Sequence, residues 1–215
     1  MPAGRPKRKR TRSFWLELPI LLGAAVVVAI LVRTFVVQTF YVPSQSMEHT
    51  LNINDRVLVN KLAYDFGDPK PGMVIVFTSP VSWRNEPNQK VFVKRVIGTP
   101  GDHVVCCNPQ NQITINGVAI DETYLSPDLV PAQAAPETFD IVVPPGRLWV
   151  MGDNRGDSDD SLHFYEATNH NMLASTIPIS SVIGRAFVLF WPVRRATWLS
   201  VPSTFSDVPD APPPS

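Results

Sequence analysis

Hydrophobic residues run almost unbroken from 16 to 37 (LELPILLGAAVVVAILVRTFVV), with Glu17 near one end and Arg33 near the other as the only charges. A helix of about 20 such residues, rising about 1.5 Å per residue, spans the ~30 Å hydrocarbon layer of a bilayer. The pattern predicts a transmembrane anchor over 16–37, with Glu17 and Arg33 near the two interfaces, where Arg33 can snorkel. A cleaved signal peptide shares the basic-then-apolar order, but cleavage asks for small residues after the apolar core. The flank here, RTFVVQTFY, is mostly bulky. The segment reads as uncleaved.

Beyond residue 40 the period changes. RVLVNKL (56–62), MVIVF (73–77), KVFVKRVI (90–97) and VIGRAFVLF (182–190) are strand-length runs rich in branched and aromatic side chains. PKPG (69–72), TPGD (99–102) and PPG (144–146) punctuate them as turns. ITINGVAI (113–120) places Asn116-Gly117 between two short apolar runs, the strongest brief hairpin signal. No long stretch after residue 40 keeps a period of 3.6, and 22 prolines disfavour helices. The expectation is a mostly β, antiparallel domain over 38–200, with a small hairpin-bearing insertion at about 103–143. The Pro/Ser-rich end, 201–215, reads as a disordered tail.

A net charge of zero hides an asymmetry. Of 19 basic and 19 acidic residues, seven and one fall before residue 40, which leaves the rest of the chain at −6. Six of the basic residues lie between Arg5 and Arg12. Such a head, residues 1–15, suits anionic lipid on the cytoplasmic side, and the positive-inside rule directs the domain after the anchor outward. An acidic body argues against nucleic acid as a partner. Localisation follows: a single-pass plasma-membrane protein with an extracytoplasmic domain. Cys106 and Cys107 are adjacent. A bridge between neighbours needs an unusual local turn, because trans Cα atoms lie ~3.8 Å apart. Two unpaired or intermolecularly bonded thiols remain open beside it.

Three sets of residues could carry chemistry. His49, His103, His163 and His170 make a Ser-His-Asp triad possible on composition, yet nothing in the sequence sets a histidine beside a serine. Lys94 sits in VFVKRVIG, where alternation puts it on one face with Phe92 and Val96. Desolvation there would favour a neutral amine able to act as a base. WVMGDNRGDSDDS (149–161) is a polar loop after a hydrophobic strand. It lacks the ligand spacing of a calcium loop, and no HExxH occurs, so no metal or cofactor is expected.

Three stretches in order behind a single anchor resemble bacterial type I signal peptidases: FVVQTFYVPSQSM (35–47), VKRVIGTPGD (93–102) and MGDNRGDSDDS (151–161). The resemblance implies a signal-peptidase-type β fold and a membrane-bound serine endopeptidase. Its substrates would be exported preproteins, whose signal peptides it removes after small-x-small (Ala-x-Ala) sites. It implies a Ser46 nucleophile, a Lys94 general base, and an oxyanion hole made with Ser44. Met47 would line a shallow substrate pocket, Ser158 would orient the lysine, and Asp153, Arg155 and Asp160 would support the site. The chain departs from the family pattern at Gln45, Met73 and Leu162, where glycine, aspartate and arginine are commoner. The last removes an expected partner of Asp160. Two alternatives stand beside this reading: a non-catalytic anchored β domain that binds envelope proteins, and a weakly active paralogue.

Overall fold

The computed structural model describes residues 14–65, 67–125, 135 and 137–211. The basic head through residue 13, residues 126–134 of the insertion and the last four of the tail lie outside the described residues. Two units are distinguished, Met1–Val37 and Gln38–Ser215. The first carries α1 (Phe14–Leu31) and a π-helical turn (Val32–Val36). Leu18, Ile20, Leu21, Leu22, Val27 and Ile30 are all exposed, so α1 shows apolar side chains on every side. Among the described residues no helix is long and apolar enough to cross a membrane.

The branched runs fold as strands. In chain order they are β1 (Val37–Tyr41), β2 (Arg56–Asn60), β3 (Val74–Thr78), β4 (Val91–Gly98), β5 (His103–Cys106), β6 (Thr114–Ile115), β7 (Val118–Ala119), β8 (Phe139–Val142) and β9 (Arg147–Met151). Two short helices, α2 (Ser161–Ala167) and α3 (Met172–Ser175), precede β10 (Ile177–Pro178), β11 (Val182–Trp191) and β12 (Thr197–Trp198). The larger sheet has the order β1-β2-β11-β3-β4-β9-β10, with β12 also on β11; the smaller is β7-β6-β5-β8. Both are antiparallel in their registered pairings. Gly72, Gly101, Gly117 and Gly146 take positive φ at the turns the sequence marked. Asn116 and Gly117, at φ 52° and 83°, form the two-residue link between β6 and β7.

β3 and β4 are interior strands. VIVF of β3 is buried residue by residue, and β4 is buried from Lys94 to its end except where alternation exposes its start. Ile75, Phe77, Trp83, Phe92, Val96 and Leu148 pack on one side of them. Val59, Val74, Val76, Met47, Leu51 and Ala186 pack on the other. A third cluster joins the smaller sheet (Val104, Ile115, Ile141) to Trp149, Met151 and Leu162, so the insertion shares a core with the main domain.

One expectation fails. Residues 201–211 are not a free tail: Phe205 is buried, and Val201 and Val208 pack on the third cluster. Thr204 Oγ1 accepts from the Asp121 N–H at 2.8 Å, and the Pro209 carbonyl accepts from Asn116 Nδ2 at 3.0 Å. The proline-rich composition hid three apolar side chains spaced to reach one face. Cys106 and Cys107 are joined to each other by a disulfide, one of the alternatives the sequence left open.

Candidate active site

Ser46 lies on a turn between β1 and β2 that closes on itself. The Leu51 N–H donates to the Met47 carbonyl at 2.7 Å, and the Val42 N–H donates to the Asp55 carbonyl at 2.9 Å. Asp55 accepts from the Asn52 N–H and pairs with Arg195 at 3.1 Å, which fixes the turn's far end. Met47 and Leu51 plunge into the core with no exposure. Ser46 itself is 8 % exposed, and its Oγ is 3.4 Å from Ser44 Oγ. Met47 does not line the cleft described below. Its neighbours are Val42, Val57 and Val59, because an unbranched apolar side chain gains more by filling the core beneath the turn.

Lys94 projects from β4 on the Phe92 face, its Nζ 5.6 Å from that ring's centroid and only 2 % of the residue exposed. Burial lowers its pKa to about 8, against the upward pull of Asp160, Asp159, Asp153 and Asp157. An amine with that value is half neutral at about pH 8 and so can serve as a base there.

The loop after β9 supplies the third part. The Asn154 N–H donates to the Ser46 carbonyl at 3.1 Å. Gly152 lies so close to Ser46 that a Cβ there would overlap the Ser46 carbonyl oxygen and Ser158 Oγ. Among the described residues that Oγ, buried, has no hydrogen-bond partner. Asp160 accepts from the Gly152 N–H at 2.8 Å and caps α2, taking the Leu162 N–H at 3.0 Å. Asp153 receives Arg95 in a two-point contact at 2.9 and 2.6 Å, plus the Thr50 hydroxyl at 2.5 Å. Arg155 donates to the Gly152 carbonyl at 3.0 Å and pairs with Glu122.

Ser44, Ser46 and Lys94 line one cleft of about 410 Å³, with apolar walls that include Ile53, Val76 and Val93. None of the four histidines lines it. Among the described residues no three His, Cys, Asp or Glu side chains converge as a metal site would require. The family described as signal peptidase, peptidase S26, matches residues 15–191.

The chain belongs to the signal peptidase family.

Signal peptidases similar to it come from several bacteria. A probable signal peptidase I-2 of Synechocystis is 37 % identical over 196 residues, covering 91 % of this chain and 82 % of that protein. The signal peptidase I of Leptolyngbya laminosa is 39 % identical over 188 residues, covering 86 % and 83 %. That of Mycobacterium tuberculosis is 36 % identical over 225 residues, covering 87 % and 76 %. Membership makes the protein a serine endopeptidase of the signal-peptide-removing kind. Sequence reasoning missed Arg95, Thr50, Glu122 and Tyr124 around this signal peptidase site. Arg95 alone carried a signal, being a charge next to Lys94 within an apolar run.

Proposed function

We propose that the protein is a membrane-anchored signal peptidase that cuts exported preproteins after small-x-small sites, with Ser46 as nucleophile and Lys94 as general base. One observation carries the dyad: a buried lysine whose pKa falls to about 8 shares a cleft with Ser46, and no histidine does. Neutral Lys94 takes the Ser46 proton as Oγ attacks the scissile carbonyl; the tetrahedral intermediate collapses to an acyl-enzyme as the amine leaves with a proton from Lys94. Lys94 then activates the deacylating water. The Ser46 N–H and the Ser44 hydroxyl hold the developing oxyanion. The unpartnered Oγ of Ser158 suits a donor or acceptor that orients the lysine.

The apolar surface of α1 supports the anchor, since a helix apolar all round is one built for lipid or a core. Its 18 residues rise about 27 Å, short of the ~30 Å layer, so the anchor reading needs the apolar run of the sequence to continue through the π-helical turn to Val36. The catalytic domain then lies outside the cytoplasmic membrane, beside substrates tethered by their own signal segments, where a shared membrane raises effective concentration.

The test is incubation of the detergent-solubilised full chain with a preprotein, followed by N-terminal sequencing of the product. Cleavage after Ala-x-Ala, lost in both Ser46→Ala and Lys94→Ala, is the expected result. Normal turnover by Lys94→Ala would eliminate the dyad. Ser44→Ala should lower kcat by roughly 10²–10³, the usual cost of one oxyanion donor.

A further inference from the structure

The turn that follows the β6–β7 hairpin, residues 121–125, reaches into the site from the smaller sheet. Glu122, 8 % exposed, accepts from Arg155 Nη1 at 3.0 Å and also from Nη2. A third bond comes from the Tyr124 hydroxyl at 2.5 Å. Burial and the Glu122 carboxylate push the Tyr124 phenol well up, which keeps it a neutral donor. Its ring lies against Arg95, with the guanidinium carbon 4.0 Å from the centroid. Its carbonyl lies 2.9 Å from His49 Nδ1, on the turn that carries Ser46. One five-residue segment therefore touches the serine turn, the neighbour of Lys94 and the loop after β9.

We propose that Glu122 and Tyr124 are positioning residues for signal-peptide cleavage, holding the 152–161 loop and Arg95 so that Ser46 and Lys94 stay aligned. The proposal rests on the dyad reading above. Arg155 is the link. Its Nε bonds the carbonyl of Gly152, the residue packed against Ser46, so whatever fixes Arg155 fixes the floor beneath the nucleophile. Without the Glu122 carboxylate the buried guanidinium loses its paired carboxylate, and the loop must shift to make up for it. Displacements near 1 Å in such a site cost roughly 10²-fold in rate. Neither Glu122, Tyr124 nor Arg155 lines the cleft, so substrate binding has no direct stake in them. The smaller sheet is thereby part of the catalytic apparatus and not an appendage.

The experiment uses the full chain in detergent and one Ala-x-Ala peptide, with kcat expressed per folded molecule at a temperature well below each variant's Tm. Glu122→Gln should lower kcat roughly 10- to 100-fold with KM within about twofold. Tyr124→Phe keeps the ring on Arg95 and loses only the bond to Glu122, so it should lose several-fold. Glu122→Asp, which keeps the charge, should recover part of the loss at equal Tm. Glu122→Gln and Arg155→Met should be non-additive in kcat, because they break one pair. Unchanged kcat per folded molecule in both Glu122→Gln and Tyr124→Phe, or a change confined to Tm or KM, would overturn the positioning role. If Glu122→Gln does not fold, Tyr124→Phe and Glu122→Asp decide alone. Ser46→Ala and Lys94→Ala run alongside: an active Lys94→Ala would sink the dyad itself, a result separable from full activity in the Glu122 variants.

Discussion

Asp160 accepts a hydrogen bond from the backbone N–H of Leu162 at 3.0 Å, at the position where the family resemblance led to an expected arginine. Its other oxygen takes the Gly152 N–H at 2.8 Å. Three backbone donors, counting the His163 N–H, thus satisfy a carboxylate that would otherwise want a cation. Leu162 turns into the third core cluster and is 3 % exposed. The local compensation is a helix cap.

Restoring the commoner residue should therefore harm the protein. Leu162→Arg forces a guanidinium into an apolar cluster and should destabilise by about 3–5 kcal/mol, the usual cost of an uncompensated buried charge. Denaturant unfolding with unchanged slope measures it. A gain in both stability and kcat would show that Asp160 lacks a partner after all.

The pH–rate profile should report Lys94. With its pKa lowered to about 8, only about a tenth is neutral at pH 7, so kcat/KM should climb through pH 8 and level above it. His103→Gln, His163→Gln and His170→Gln should leave the limb in place, since none of these rings lines the cleft. A limb that moves with any of them would point to a histidine base.

The same burial costs stability. Lys94 falls from 10.5 to about 8 on folding, so the unfolded chain binds the extra proton between those values. Stability then rises with pH across about 8 to 10.5, and the penalty is full below about 8, on the order of 3 kcal/mol. Lys94→Met fills similar volume without charge. It should be inactive yet more stable by up to that amount at pH 7, with the advantage gone above about pH 10.5. Equal stability at pH 7 would mean that the buried ammonium is better solvated than its position implies.

Much of this was legible beforehand, for identifiable reasons. Runs such as VIVF and KVFVKRVI can bury their branched side chains only as strands, and Asn116-Gly117 fits the turn that joins β6 to β7. Ser46, Lys94 and the 152–161 loop could be read because each lies in a short contiguous stretch. What alternation could not reveal was how deeply Lys94 is buried, which depends on β4 lying between β3 and β9. Glu122 and Tyr124 were invisible for a related reason. Their partners Arg155 and Arg95 lie about 30 residues away on either side, and only the packing of the smaller sheet brings them together. The pocket role of Met47 came from the family resemblance alone, and its burial in one cluster with Val42, Val57 and Val59 had no signal in the sequence.

Gly152 gives a steric prediction. A methyl group there meets a backbone oxygen, that of Ser46, which cannot rotate away as a side chain can. Gly152→Ala should push the serine turn off its position and lower kcat by about 10² or more. The core packs elsewhere, so circular dichroism should stay native. Full activity in Gly152→Ala would show that the loop and the serine turn approach less closely.

The docked end of the chain should act on stability more than on catalysis. Phe205 is buried against the third cluster, stacks with Tyr124 at 6.0 Å between ring centroids, and covers Gly72 so closely that a Cβ there would strike its ring. Removing such a ring typically costs about 3–5 kcal/mol once the cavity it leaves is included. No residue beyond 200 lines the cleft. Phe205→Ala should therefore unfold at lower denaturant while keeping KM, and at low temperature its kcat should fall by no more than that of Tyr124→Phe, whose ring it supports. Ending the chain after Ser200 should be at least as destabilising, because Val201, Val208 and the bonds to Asn116 and Asp121 go with it. The comparison to make is Tm against kcat for wild type, Phe205→Ala and the shortened chain. If the shortened chain melts like wild type, residues 201–211 add nothing to the fold, and the contacts of Phe205 do not hold in solution.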